Sequence, residues 1–382
     1  MIANVASHVQ DYTFWNYDGV GTLLPASWVA AWSTYAEMSD STWAKAFHAA
    51  GGRYAVAYTD PNLFYTSSNY TDPGNYPSNA FGHGSNGVRT HRPEGPGTAY
   101  YLLPNSSGSK SGYQGITQNI AAGGGFNYIY ADGVNDTLAD SLYHFTPTPV
   151  EITTNAQYVS GMKALFSASA LPVIVNGYMN GSPITNEQYV GASNVGAMFG
   201  ESCFSTYSNT IVGSQWLDMA NALLYTTSRG TPAICGARDT LSDTRAGRIY
   251  WLASWWLTYD SNHSVALELV ASSSAVYLFP EEMLVPTNPL QTAASNDIAD
   301  LRSSTGAYIR QFGDCYYDRI PWGACAAIVN PTSSSVGMPS AASGYHHALA
   351  LNLYNLFEGG AASLTTSVPG SLSPGSAAVL FK

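Results

Sequence analysis

The chain has 382 residues and only 10% of them are charged, with 14 Lys and Arg against 25 Asp and Glu, a net charge of −11 and a pI of about 5.0. Soluble domains usually carry ~25% charged residues, whereas aromatic residues here reach 13%. So few cations cannot form the basic stripe of a nucleic-acid partner. The aromatic load is the opposite of a disordered composition. The longest apolar stretch, residues 250–259, falls far short of the ~20 residues of a membrane span. A surface of Ser, Thr, Asn, Gly and Tyr is solvated by neutral hydrogen bonds, which fits a secreted or cell-surface setting, and an acidic one. No leader is visible, so the expectation is a mature form whose leader has been removed.

In chain order, residues 9–17 read as a first strand, rich in β-branched and aromatic types. Helical patterns follow over 25–36 and 41–50, the second with Ser39, Asp40 and Ser41 as possible N-caps and Gly51-Gly52 as its stop. Residues 53–58 form a strand. A long Gly/Pro/Asn/Ser-rich segment then runs from 65 to about 97, and loops of that length in compact domains usually carry function. Residues 98–103 read as a third strand, 113–122 as a helix stopped by three glycines, and 126–132 as the fourth strand. Strands at 172–178, 195–201 and 231–236 alternate with helices at 155–168, 214–228 and 242–259. Either 264–270 or 275–279 supplies an eighth strand.

This alternation predicts βαβ units around a parallel sheet. Eight units within residues 1–305 are the size of a (β/α)8 TIM barrel. The competing doubly wound sheet would want a Gly-rich phosphate turn after strand one, and Gly19-Val20-Gly21 lacks its continuation. Over 306–382 the period changes to short runs separated by turn residues, which predicts a small antiparallel β-sandwich. Four cysteines, at 203, 235, 315 and 325, show no zinc spacing. In a secreted chain they allow two disulfides in three connectivities, with four free buried thiols as the plain alternative.

A TIM barrel places its chemistry at the C-terminal ends of its strands. Asp18, Asp60, Asp132, Asn176 and Glu201 stand at such ends, Arg238 follows the seventh strand, and Glu268 lies in the eighth. Asp132 and Glu201 close strands four and six. Alternate strands share one interior layer, so these two carboxyls can converge as glycosidic cleavage requires. Met198, Phe199, Cys203 and Phe204 flank Glu201, and apolar neighbours favour a protonated carboxyl, so Glu201 is assigned as general acid. Asp132 precedes Gly133 near Asn135 and Asp136 and is assigned as nucleophile or base. Glu268 is the reserve acid. Helix capping, or pairing with Arg238, is the plain alternative for each carboxylate. Trp15, Tyr17, Tyr58, Tyr130 and Tyr178 lie at or near strand ends, where rings could stack on sugar faces. Asp18, Asp60, Asn176, Arg238 and Glu268 complete the predicted substrate-binding set. Trp251, Trp255 and Trp256, at helical spacing, read as core. No HExxH or zinc pattern occurs, so neither a metal nor another cofactor is expected. No Gly-x-Ser-x-Gly elbow appears.

Gly125-Phe126-Asn127-Tyr128-Ile129-Tyr130-Ala131-Asp132 resembles the fourth-strand signature of TIM-barrel glycoside hydrolases of the endo-α-1,4-polygalactosaminidase type. In those families a Gly-Phe-Asp-Gly start leads to a strand-end Asp held to be catalytic, and Asp132 occupies that place. The earlier Asp-Gly is Asn127-Tyr128 here. Phe279-Pro280-Glu281, Pro289-Leu290, Tyr308-Ile309-Arg310-Gln311-Phe312 and Val329-Asn330-Pro331-Thr332 resemble the series that joins barrel to C-terminal sandwich in such hydrolases. The resemblance implies a secreted hydrolase cleaving a polysaccharide or oligosaccharide. The departure at Asn127 motivates an alternative, a non-catalytic carbohydrate-binding or cell-surface barrel.

Overall fold

The structure, a computed structural model, describes residues 6, 8–16, 25–65, 76–94, 97–134, 146–152, 154–177, 186–206, 209–236, 244–267, 279–351 and 362–382. The strands in chain order are β1 (Gln10–Asn16), β2 (Tyr35–Met38), β3 (Tyr54–Thr59), β4 (Leu63–Tyr65), β5 (His91–Glu94), β6 (Gly97–Tyr101), β7 (Tyr128–Ala131), β8 (Val173–Asn176), β9 (Val195–Gly200) and β10 (Ala233–Cys235). They continue with β11 (Ser264–Leu267), β12 (Leu284–Pro289), β13 (Tyr308–Tyr317), β14 (Ile320–Asn330), β15 (Val336–Gly337), β16 (His347–Leu351), β17 (Ala362–Thr365), β18 (Ser371–Leu372) and β19 (Ser376–Phe381). Among the described residues the α-helices are α1 (Ala26–Trp32), α2 (Ser41–Ala49), α3 (Ser107–Gly123), α4 (Asn155–Ala168), α5 (Ser214–Ser228) and α6 (Arg245–Thr258).

Eight strands close a barrel in the order β1-β11-β10-β9-β8-β7-β3-β2. The strand pairs with described registers are parallel, among them β2 with β3, β3 with β7, β7 with β8 and β10 with β11. The fold is thus a TIM barrel, followed by antiparallel sheets. Strands β2, β8 and β11 are buried at every residue, as parallel strands covered on both faces must be. Asp40 caps α2, its Oδ1 accepting from the N–H groups of Thr42 and Trp43, and Thr154 with Gln157 forms a capping box on α4.

Two strands differ from the sequence reading. The stretch read as one helix over 25–36 is a helix of seven residues followed by a strand, because Tyr35, Ala36 and Glu37 pair with Tyr54, Ala55 and Val56. A four-residue buried strand is too short to show a period. The barrel therefore gains its second strand at β2, and β3 is the third. Residues 98–103 leave the barrel: β6 pairs antiparallel with β4 and β5 in a small sheet inserted after β3. Within the long polar segment, Tyr76, Ala80 and Phe81 pack with Leu102 and Ile116 as a core of their own. The eighth barrel strand is the first of the two sequence options, β11.

By contacts the chain forms two compact units, one of Met1–Phe14, Tyr178–Ile184 and Gly200–Lys382, the other of Trp15–Gly177 and Thr185–Phe199. The first unit contains the six-stranded antiparallel sheet β12-β13-β14-β19-β16-β17 and the β15-β18 pair. Its strand β12 starts at Leu284, ahead of the expected boundary at residue 305, because Leu284–Pro289 pairs with β13 rather than ending a barrel unit. Ile309, Ile328, Tyr345 and Leu380 centre its core, and Cys315 is bonded to Cys325 across a Cα–Cα distance of 6.0 Å.

The motifs quoted from the last third of the chain do architectural work in this unit. Glu281 forms an ion pair with Arg248 of α6, both 2% exposed, and the Arg248 guanidinium lies 4.3 Å over the Phe279 ring. Arg310 donates from Nη1 to the carbonyls of Trp256, Leu257 and Tyr259 at 3.2, 3.1 and 2.8 Å, closing the C-terminus of α6. Burial pulls its pKa down to about 10. Asn330 donates to the carbonyls of Ser334, Leu372 and Ser373. Trp251, Trp255 and Trp256 are buried.

Candidate functional site

Asp132 follows the last residue of β7, the fourth barrel strand. Its backbone N–H still donates to Thr59 at 2.9 Å, so the residue leaves the sheet in register with β3. Among the described residues its carboxylate takes three hydrogen bonds. Oδ1 accepts from the Gly133 N–H at 2.7 Å and from Asn176 Nδ2 at 2.7 Å, and Oδ2 accepts from the Tyr58 hydroxyl at 2.9 Å. Three partners fix the orientation of the carboxyl group. They come from three consecutive barrel strands, since Tyr58 is in β3, Gly133 follows β7 and Asn176 ends β8.

The turn after Asp132 is held from outside the barrel. Gly133 has φ 63°, a conformation that favours glycine. Its carbonyl accepts from Asn62 Nδ2 at 2.7 Å, and Asn62 Oδ1 accepts from the Tyr158 hydroxyl of α4 at 2.8 Å. Asp132 is half-buried and so reachable from the strand ends.

The other predicted residues divide by surroundings. Asn176 is fully buried and its amide is committed to Asp132. Tyr58 is half-buried. Tyr130 is buried, with its ring 4.8 Å from Phe199 and 5.8 Å from Tyr58, so it backs the Tyr58 ring instead of presenting a stacking face. Trp15 is 1% exposed and packs edge-on to Trp43 of α2 at 5.0 Å, which makes it strand-to-helix packing. Asp60 is buried, and its Oδ1 accepts from the N–H groups of Asn62 and Leu63 at 2.9 and 3.1 Å. That is an Asx turn, and it starts the inserted sheet. Tyr17, Asp18, Tyr178, Arg238 and Glu268 lie outside the described residues.

Glu201 belongs to the other compact unit. It is the first residue past β9, the sixth barrel strand, and is half-buried. Gly236 holds this turn from both sides. Its N–H donates to Gly200 at 3.0 Å and its carbonyl accepts from the Cys203 N–H at 2.8 Å. Ser202, Cys203 and Phe204 are fully buried, and the Phe204 ring lies 5.9 Å from that of Trp216.

Sequence reasoning missed two barrel carboxylates. Glu37 of β2 has no exposed surface, and Asp11 of β1 is 1% exposed and accepts from the Thr13 hydroxyl at 3.0 Å. Buried ionisable groups are over-represented at functional sites. A lone carboxylate inside a short apolar run was the available signal, hidden for Glu37 by the helix reading. Among the described residues, no group of three or more His, Cys, Asp and Glu is arranged to hold a metal ion. A cavity of about 530 Å³ within the first unit is lined by Asn209, Thr244, Arg245 and Ser376, and includes none of the predicted site residues.

No family model and no curated protein matches the chain. Solved structures similar to it include glycoside hydrolases. Ega3 of Aspergillus fumigatus, in complex with galactosamine, is 11% identical with a TM-score of 0.39, covering 60% of this chain and 77% of that one. The GH27 β-L-arabinopyranosidase Abp of Geobacillus stearothermophilus is 10% identical with a TM-score of 0.44, covering 98% and 96%. An α-galactosidase of Lactobacillus brevis is 10% identical with a TM-score of 0.46, covering 98% of this chain and 55% of that one.

Proposed function

We propose that this chain is a glycoside hydrolase that cleaves a polysaccharide or oligosaccharide, with Asp132 as nucleophile or base and Glu201 as general acid. The observation that carries this reading is the Asp132 carboxylate at the end of the fourth barrel strand, held by Tyr58, Asn176 and the Gly133 N–H. An ionised, oriented carboxylate is what a developing oxocarbenium charge needs. Glu201, at the end of the sixth strand, supplies the proton to the departing glycosidic oxygen. In the retaining form, Asp132 bonds to the anomeric carbon and Glu201 then activates water. In the inverting form, Asp132 activates the water directly. The two forms differ in carboxyl separation, ~5–5.5 Å against ~6.5–9.5 Å. An oxidising, extracellular location belongs to this proposal. The Cys315–Cys325 bond supports it, and among the described residues no helix is long and apolar enough to cross a membrane.

The sequence feature behind the non-catalytic alternative lies elsewhere. Asn127 stands before β7, five residues ahead of Asp132, a span of roughly 16 Å along an extended chain. Its Oδ1 accepts from the Ala55 N–H at 2.8 Å and its own N–H donates to the Ala55 carbonyl at 2.8 Å. An amide there clamps two strand starts, so the absent carboxylate does not argue for a decayed site at the other end. The test is reducing-sugar release from a polysaccharide panel between about pH 4 and 7, with Asp132→Asn and Glu201→Gln alongside the wild type. Each variant should fold and lose about two or more orders of magnitude in rate. Glycan binding with no bond cleavage by the wild type across the panel would overturn the hydrolase reading.

A further inference from the structure

The turn that carries Glu201 also carries a cysteine with an unused partner. Cys203 follows β9 and Cys235 is the last residue of β10, and both are unbridged and fully buried. The Cys203 N–H donates to the carbonyl of Gly236, the neighbour of Cys235, at 2.8 Å, and the Gly236 N–H returns to Gly200 at 3.0 Å. This backbone pairing sets Cys203 beside the chain neighbour of Cys235, and the Cys203 thiol itself donates to the Gly200 carbonyl at 3.7 Å. Burial first, and then the Cys203 thiol, push the Cys235 thiol well up from its ordinary value. The other cysteine pair, Cys315 and Cys325, is already bonded. One pairing therefore remains, and backbone hydrogen bonds at Gly236 bring its members to the same two strand ends.

We propose that Cys203 and Cys235 form a second disulfide in the mature chain, tying the Glu201 turn covalently to the end of the seventh barrel strand. The oxidant is a small or protein disulfide of the glutathione class. One cysteine thiolate attacks it, a mixed disulfide forms and one thiol leaves. The second cysteine then displaces the other thiol, so two protons and two electrons pass from the protein to the reduced oxidant. Exchange requires a thiolate and access. A buried pair with a raised thiol offers neither, so the bond forms during folding, before the turn after β9 closes against the end of β10. Once formed it shuts a loop of about 30 residues that contains α5, a length at which a cross-link removes substantial freedom from the unfolded chain.

The test needs no variant. The full chain is reduced, unfolded, and refolded in a mixture of reduced and oxidised glutathione. It is then denatured without reductant in iodoacetamide and mapped by mass spectrometry. The expected result is no alkylated cysteine, a linked peptide pair containing Cys203 and Cys235, and four alkylated cysteines after reduction. Alkyl or glutathione groups on Cys203 and Cys235, or a link from either one to Cys315 or Cys325, would overturn the proposal.

Discussion

Replacing Asp132 with Asn separates chemistry from architecture at the proposed nucleophile. The Asn side chain can keep each of the described hydrogen bonds of the carboxylate. Its Oδ1 still accepts from Gly133 N and Asn176 Nδ2, each now at 2.7 Å, and its Nδ2 takes the place of Oδ2 at 2.9 Å from the Tyr58 hydroxyl. Tyr58 then turns its proton away and accepts, which a phenol can do. The variant gives up the charge-assisted part of three hydrogen bonds, and it also removes the cost of holding a half-buried charge. These oppose each other, so the net change in stability should stay within about 1 kcal/mol, or roughly 2 °C in thermal midpoint for a chain of this size. The rate should behave differently. An amide can neither bond to the anomeric carbon nor take a proton from water. A hundredfold or greater loss is expected, equal to about 2.7 kcal/mol of transition-state stabilisation. Reducing-sugar kinetics and thermal unfolding on the same preparation give both numbers. A kcat/KM within about threefold of wild type, with an unchanged midpoint, would remove Asp132 from the mechanism.

Tyr58→Phe keeps the ring beside Tyr130 but deletes the donor to Oδ2. A roughly tenfold fall in kcat/KM is expected, the low end of what a hydrogen bond to a charge contributes, and an unchanged kcat/KM would show that the hydroxyl is idle. Glu281→Ala leaves Arg248 buried without its carboxylate and should cost about 3–5 kcal/mol in urea unfolding; a loss below about 1 kcal/mol would show that Arg248 finds another anion. Tyr76, Tyr113 and Tyr250 all have phenol pKa values raised above 10.0, with burial as the largest cause. Their stabilisation is fully present below the unfolded value of 10.0 and is lost as pH climbs from there towards the folded values. A part of the tyrosinate absorbance equivalent to these three residues should therefore appear only with unfolding, in one step with loss of circular dichroism; their ionisation in the folded chain near pH 10 would contradict their burial.

The amino-acid pattern alone determined the architecture's class and pointed to the strand ends as the place proposed for its chemistry. Alternating strands and helices with Gly stops encode βα units, and the shift to short runs near the end encodes antiparallel strands. Asp132 was legible as a candidate because it is a carboxylate ending an aromatic strand in a charge-poor chain. Local pattern also pointed to the Pro-Glu and Tyr-x-Arg-x-Phe segments, although not to their partners. Those partners are set by distance in space. Glu281 meets Arg248, 33 residues away, and Arg310 reaches carbonyls at Trp256, Leu257 and Tyr259. The tertiary structure alone made Tyr35–Met38 a barrel strand, because four residues carry no period and their β conformation comes from pairing with β3. It moved residues 98–103 out of the barrel for the same reason. It also turned Trp15 and Tyr130 from expected sugar platforms into packing, and joined Tyr58 and Asn176 to Asp132. The low charge density of the sequence made each strand-end carboxylate conspicuous; only the neighbours supplied by folding distinguish Asp60, occupied by its own turn, from Asp132, held by three donors at the strand end.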